Sequence, residues 1–182
     1  MALAILHTRA LAGMAAPAVT VEVHLANGLP AFNLVGLAEA EVKEARDRVR
    51  AAILQSGFEF PARRITVNLA PADLPKASGR FDLPIALGVL VASGQIPGQA
   101  LEQHEFAGEL ALTGALRPVR GALAMLIAAR ADRRVFVLPT ESAAEAALLD
   151  GAEVLAADSL LAVSAHLAGR TPLQAPSRPA TP

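Results

Sequence analysis

The residues from Phe81 to Ser93 are apolar on almost every side of a helix, with Leu83, Ile85, Leu87, Val89, Leu90 and Val91 spread round its axis. A helix of that kind has no solvent face, so other elements must enclose it. Pro84 falls in the first turn, where a missing N–H is tolerated, and Gly94 closes the run. The stretch from Leu83 to Ala92 is too short to span a bilayer, which takes about 20 residues. The sequence therefore predicts a fold wrapped round a short central helix. At 53% hydrophobic residues the 182-residue chain can build such a core, and with only 3% aromatics it must do so from alanine, leucine and valine.

The flanking segments supply the wrapping. Val19, Val21, Val23 and Leu25 alternate with Thr20, Glu22 and His24, the period of a half-buried strand over Ala18 to Leu25. Ala2 to Ala10 reads as another strand. Asn27-Gly28 is a strong hairpin signal and predicts that Phe32 to Val35 returns beside the strand before it. Glu39 to Ser56 reads as a helix, with Val42, Ala45, Val49, Ala52 and Ile53 on one stripe. Glu39, Glu41 and Glu44 sit early and Arg46, Arg48 and Arg50 later, as the helix dipole favours. Those arginines read as a solvated face, or as a subunit or phosphate contact. Arg64 to Leu69 is a short strand, and Pro71 and Pro75 bracket the loop after it.

From Glu105 the order is strand (Phe106 to Leu112), turn, strand (Leu116 to Val119), then helix (Gly121 to Ala131) and strand (Arg134 to Leu138). A helix over Ser142 to Leu149 follows, capped by Thr140 or Ser142. A strand over Glu153 to Ala156 and a helix over Asp158 to Leu167, capped by Asp158 or Ser159, complete the series. This alternation implies βαβ crossovers, and the antiparallel first half makes the whole an α+β fold with a mixed sheet. Residues 1–169 read as one domain. Arg170 to Pro182 carries four prolines and little apolar bulk, so it reads as a disordered or extended tail, a linker toward a further module.

Composition narrows the chemistry. Without cysteine there is no disulfide, cysteine-zinc site or thiol nucleophile. A net charge of -1 supplies no global basic field for nucleic acid. Met1 to Arg9 lacks the basic region of a secretory signal, which points to a cytoplasmic protein without membrane contact. No GxxxxGK[ST] loop exists, and Gly79-Arg80 is no substitute for one. His7, His24, His104 and His166 show no metal-ligand spacing. Asp73 and Asp82 flank the Pro75-Lys76 loop closely enough to approach one another. Asp82 reads as an N-cap or first-turn residue, worth about 1 kcal/mol, with Lys76 and Arg80 to neutralise it or to meet a phosphate.

Three ordered segments carry a resemblance: Val67 to Lys76, Gly79 to Ala86, and Gly108 to Gly121, joined by Asn33-Leu34-Val35-Gly36-Leu37 and by Glu41 to Val49. Together they resemble the amino-terminal domain of the ComM/YifB family, often labelled magnesium-chelatase-like, over nearly all of residues 1–169. The resemblance implies a Lon-protease-type domain related in fold to the second domain of ribosomal protein S5. It also implies a following AAA+ module, hexameric ring assembly, and a role in DNA branch migration during natural transformation. ATP and Mg would then belong to that module, with none held by this chain.

A Lon-type peptidase would carry a serine where this chain has Asp82 and a lysine where it has Leu123. Neither residue can serve as the nucleophile or its base. Ser78 lies four residues before Asp82 and Lys76 six before it, which makes a rearranged pair a poor substitute. The expectation is a non-catalytic accessory domain of an ATP-driven DNA motor, with Arg63, Arg64, Lys76, Arg80, Arg117 and Arg120, the basic residues on or near predicted surface loops, as candidate phosphate contacts. The alternatives are a pure oligomerisation module, using Phe32, Leu34 and Leu37 or the Glu39 to Arg50 face, and a degenerate hydrolase or part of a magnesium-chelatase-like ATPase.

Overall fold

The computed structural model describes residues 2–74, 76, 79–149 and 153–176. Its first half is a four-stranded sheet of β1 (Ala2–Arg9), β2 (Ala18–Ala26), β3 (Ala31–Val35) and β4 (Arg64–Ala70), with α1 (Glu39–Gln55) crossing between β3 and β4. The order is β1-β2-β4-β3; β1 and β4 run antiparallel to β2, and β3 runs parallel to β4.

The hairpin pairing expected across Asn27-Gly28 does not form. β3 does not return beside β2, because β4 lies between them and pairs its Val67 with Val23 on one side and Leu34 on the other. The reason lies in burial. Ile65, Val67 and Leu69 are fully buried on the face that Val19, Val21, Val23 and Leu25 also bury, so a central place satisfies β4. β3 leaves Asn33 and Val35 exposed and accepts the edge.

α2 (Asp82–Ala92) is the expected central helix, with ten of its 11 residues buried. It lies on β1 and β2, and α1 packs beside it. The approach to the sheet is closest at Gly88, where an added Cβ would stand 2.4 Å from Val23 Cγ2 and 3.0 Å from Leu6 Cδ1. Gly88→Ala is therefore expected to lose about 1–3 kcal/mol of stability by overpacking, read as a lower urea midpoint at an unchanged slope.

The second half contains β5 (His104–Phe106), β6 (Glu109–Leu110), β7 (Leu116–Arg117), α3 (Ala122–Ala131), β8 (Val135–Pro139), α4 (Thr140–Ala146), β9 (Val154–Ala157) and α5 (Leu160–Leu167). β5, β8 and β9 form a separate parallel sheet, and β6 and β7 a two-stranded ribbon. The strand expected over Phe106 to Leu112 breaks at Ala107 and Gly108, whose backbone turns to meet β8 and the chain before α2. Neither Thr140 nor Ser142 caps α4. Ser142 instead accepts from the Val119 N–H at 2.9 Å, while Ser159 caps α5 by accepting from the Ala162 N–H.

A buried ion pair joins the two sheets. Arg9 at the end of β1 donates Nε and Nη2 to the two Glu105 oxygens of β5, at 2.8 and 3.0 Å, and also bonds Asp132 beyond α3. Burial opposes the Arg9 charge, but Glu105 and Asp132 together hold it above its ordinary range. Beyond α5 the backbone stays tied as far as Gln174: the Leu173 N–H donates to His166 Nδ1, and the Ala156 N–H donates to the Gln174 carbonyl. The last residues of the tail predicted from Arg170, 177–182, lie outside the described residues.

Candidate functional site

The turn that feeds α2, Gly79–Phe81, is clamped to the β5–β6 connection from both directions. The Leu83 N–H donates to the Gly108 carbonyl at 3.0 Å, and the Gly108 N–H donates to the Arg80 carbonyl at 2.9 Å. One of the orphan donors of the helix start is thereby satisfied by backbone, with no side-chain cap. The Asp82 carboxylate is left for another partner.

That partner is Arg48 of α1. Its Nε and Nη2 donate to the two Asp82 oxygens at 2.7 and 3.3 Å, and the Leu110 backbone N–H adds a third bond at 3.1 Å. Asp82 is 1% exposed. Glu44, one turn before Arg48, lies 3.7 Å from its Nη1. Gly79 has no room for a side chain, since a Cβ there would stand 2.6 Å from Glu109 Cγ and 3.2 Å from Arg48 Nη2. The position is packed shut.

Burial pushes the Asp82 carboxyl up to about 6, aided by the nearby Glu109 charge; the Arg48 and Leu110 contacts pull the other way without prevailing. Burial also works against the Arg48 charge, yet the bond and charge of Asp82 hold that guanidinium above its ordinary range.

The other sequence-predicted residues fall apart into separate groups. Leu123 sits on the first turn of α3 and is 38% exposed, an aliphatic group facing outward. Lys76 is only 5% exposed, donates its Nζ to the Leu74 carbonyl, and is pushed below its usual range by burial against the opposing pull of Asp73. Arg80 is 4% exposed and is likewise lowered by burial; it donates to Met125 Sδ and to the Arg120 carbonyl. Neither neutralises Asp82, and the surface-loop placement expected of both is corrected: their side chains turn inward. Asp73 remains exposed while Asp82 is enclosed. Ser78 lies outside the described residues.

Arg117 and Arg120 are exposed near the start of α3, and Arg64 is exposed and Arg63 half-buried at the start of β4. Arg63 donates to Asn27 Oδ1. β4 runs from Arg64 away to Ala70, so six residue steps of about 3.3 Å separate the Arg63–Arg64 end from the α2 end, roughly 20 Å. The six basic candidates form no single patch. Phe32 and Leu34, expected at an interface, are core residues, whereas Val35 is 51% exposed and Leu37 lines an open groove beside β3.

Arg48 is the residue that sequence reasoning missed. It stands three residues after Ala45 and four before Ala52, both buried, so helical spacing places it along the inward stripe. Among the described residues no three histidine, aspartate or glutamate side chains gather to hold a metal ion, and no helix is long and apolar enough to cross a membrane.

Residues 21–142, which include most of β2, all of β3 and β4, the buried helix α2 and the β6–β7 ribbon, match the family model described as subunit ChlI of Mg-chelatase. The chain belongs to that Mg-chelatase-like family, within its ComM/YifB group. It is 54% identical over 176 residues to the YifB protein of Salmonella typhimurium, covering 97% of this chain and 35% of the relative. It is 52% identical over 173 residues to the competence protein ComM of Haemophilus influenzae, covering 95% of this chain and 34% of the relative. A Mycobacterium bovis relative is 39% identical over 174 residues, again across 35% of its length. The chain thus spans about a third of the length of these curated relatives.

Proposed function

We propose that this chain is a non-catalytic accessory domain of a ComM-like, ATP-driven DNA machine, guiding DNA or assembling the ring in the cytoplasm. The observation that carries this reading is the fate of Asp82. Its carboxylate is wholly committed to Arg48 and the Leu110 N–H, and Leu123 has no group able to accept or return a proton. We read the fold as Lon-protease-like, akin to domain 2 of ribosomal protein S5, with the peptidase position turned into a structural pair. The relative named as a competence protein supports a place in natural transformation, and ATP and Mg would be handled by sequence outside this region.

DNA guidance would use the exposed Arg117 and Arg120, with Arg63 and Arg64 as a second contact at the far end of β4. Binding of the chain to fluorescein-labelled single-stranded and forked DNA, titrated with salt, tests this. Saturable binding that weakens with salt and with Arg117→Ala/Arg120→Ala is expected. No binding at low salt would remove the DNA role. A second reading, oligomerisation without DNA contact, draws on the open outer edge of β3 and the groove at Gly36 and Leu37. An edge strand left uncovered is a ready pairing surface.

A further inference from the structure

α3 ends in a tight turn. The Asp132 and Arg134 N–H groups both donate to the Ala129 carbonyl, and the Arg133 N–H donates to that of Arg130. Within this turn Arg133 has φ 56°, the only positive value for a non-glycine among the described residues. Glycine is the usual occupant of such a position, and a side chain there costs about 1 kcal/mol or more. An arginine occupies this position despite that cost.

What it faces is a cavity of about 250 Å3 lined by Leu126, Arg130, Arg133, Arg134 and Glu153. Arg134 is anchored, its Nε donating to the Glu102 carbonyl at 3.1 Å and its Nη1 lying 3.5 Å from Glu105. The side chains of Arg130 and Arg133 make no hydrogen bond or ion pair among the described residues, and Glu153 pairs with neither. Guanidinium groups gathered round one cavity repel unless an anion joins them.

We infer that this cavity binds a phosphomonoester. Two guanidiniums without a partner among the described residues match a dianion, and their planar forks suit phosphate oxygens. A phosphomonoester carries a charge of about -1.5 to -2 near neutral pH, whereas a phosphodiester carries a single charge. Leu126 supplies an apolar floor, and the Glu153 carboxylate can accept from a hydroxyl on the esterified alcohol. The cavity is smaller than the roughly 300–1,000 Å3 of drug-sized sites, which suits a small sugar phosphate or the terminal phosphate of a nucleic-acid strand. α3 is ten residues long, so about 15 Å separates this site from Arg117 and Arg120. It stands independently of the DNA-guiding reading.

The test is thermal unfolding of the 182-residue chain in inorganic phosphate against chloride at equal ionic strength, alongside Arg130→Gln and Arg133→Gly. Phosphate should raise the wild-type midpoint, and each substitution should weaken the apparent affinity about tenfold. Arg133→Gly relieves the left-handed strain and should be at least as stable as wild type without phosphate, so loss of its response cannot be put down to misfolding. Titration with ribose 5-phosphate, and with one oligonucleotide bearing a 5′-phosphate or a 5′-hydroxyl, separates the sources. Preference for the phosphorylated strand would assign a nucleic-acid end, and binding of the sugar phosphate alone a small ester. Equal effects of phosphate and chloride, or equal responses of wild type and both variants, would overturn the site.

Discussion

Replacing Arg48 with alanine should lower the unfolding free energy by about 3 kcal/mol near neutral pH, because it strands a buried carboxylate. The size of the loss depends on the ionisation of Asp82, whose carboxyl is raised from 3.8 to about 6 in the folded chain. The folded state therefore holds this proton more tightly than the unfolded state. The stability so gained is complete below the unfolded value and is lost as the pH rises through about 6. Above that point the charged form relies on Arg48. Without Arg48 only the Leu110 N–H remains, the folded carboxyl climbs further, and the deficit is largest near neutrality and narrows toward about pH 5. Urea unfolding at the two pH values measures it. Adding Asp82→Asn to the alanine variant should recover part of the loss by removing the charge. A deficit of equal size at both pH values would contradict this account.

The joint between the sheets gives the second large effect. Arg9→Met should cost about 3–5 kcal/mol, since Glu105 would be left buried with only Arg134, 3.5 Å away, to balance it. The double variant Arg9→Met/Glu105→Leu should recover most of that, because apolar residues of similar volume replace a buried pair at little net loss. The outcome is read from chemical denaturation as a double-mutant cycle. Additive losses would mean that the two side chains do not act as a pair.

Both pairs explain what the sequence could disclose. The central helix was legible, because apolar residues on every side allow no other placement, and α1 followed from its stripe and charge gradient. β4 was legible as a strand but not as the neighbour of β2. Asn27-Gly28 reports a local turn, whereas strand order depends on which strand buries enough surface to lie between two others. The six basic candidates share nearness to predicted loops. Lys76 and Arg80 fit that description and still turn inward, where the Leu74 and Arg120 carbonyls accept from them. The partner of Asp82 lies 34 residues earlier, among three arginines at alternate positions. Only its spacing from Ala45 and Ala52 sets Arg48 apart from Arg46 and Arg50, and that spacing gives no hint of the acid it meets. Arg9 and Glu105 come together from different sheets, a pairing that no local pattern records.

The claim that a peptidase-type position has become a structural ion pair is tested most directly by titrating Asp82 itself, following its side-chain carboxyl carbon by NMR in the wild type and in Arg48→Gln. A midpoint of about 6 is expected in the wild type and a higher one in the variant, as for an enclosed carboxylate that loses its cation. A midpoint near the ordinary aspartate value of about 4, unmoved by the substitution, would mean that Asp82 is open to solvent and free of Arg48, and the accessory reading would lose its foundation.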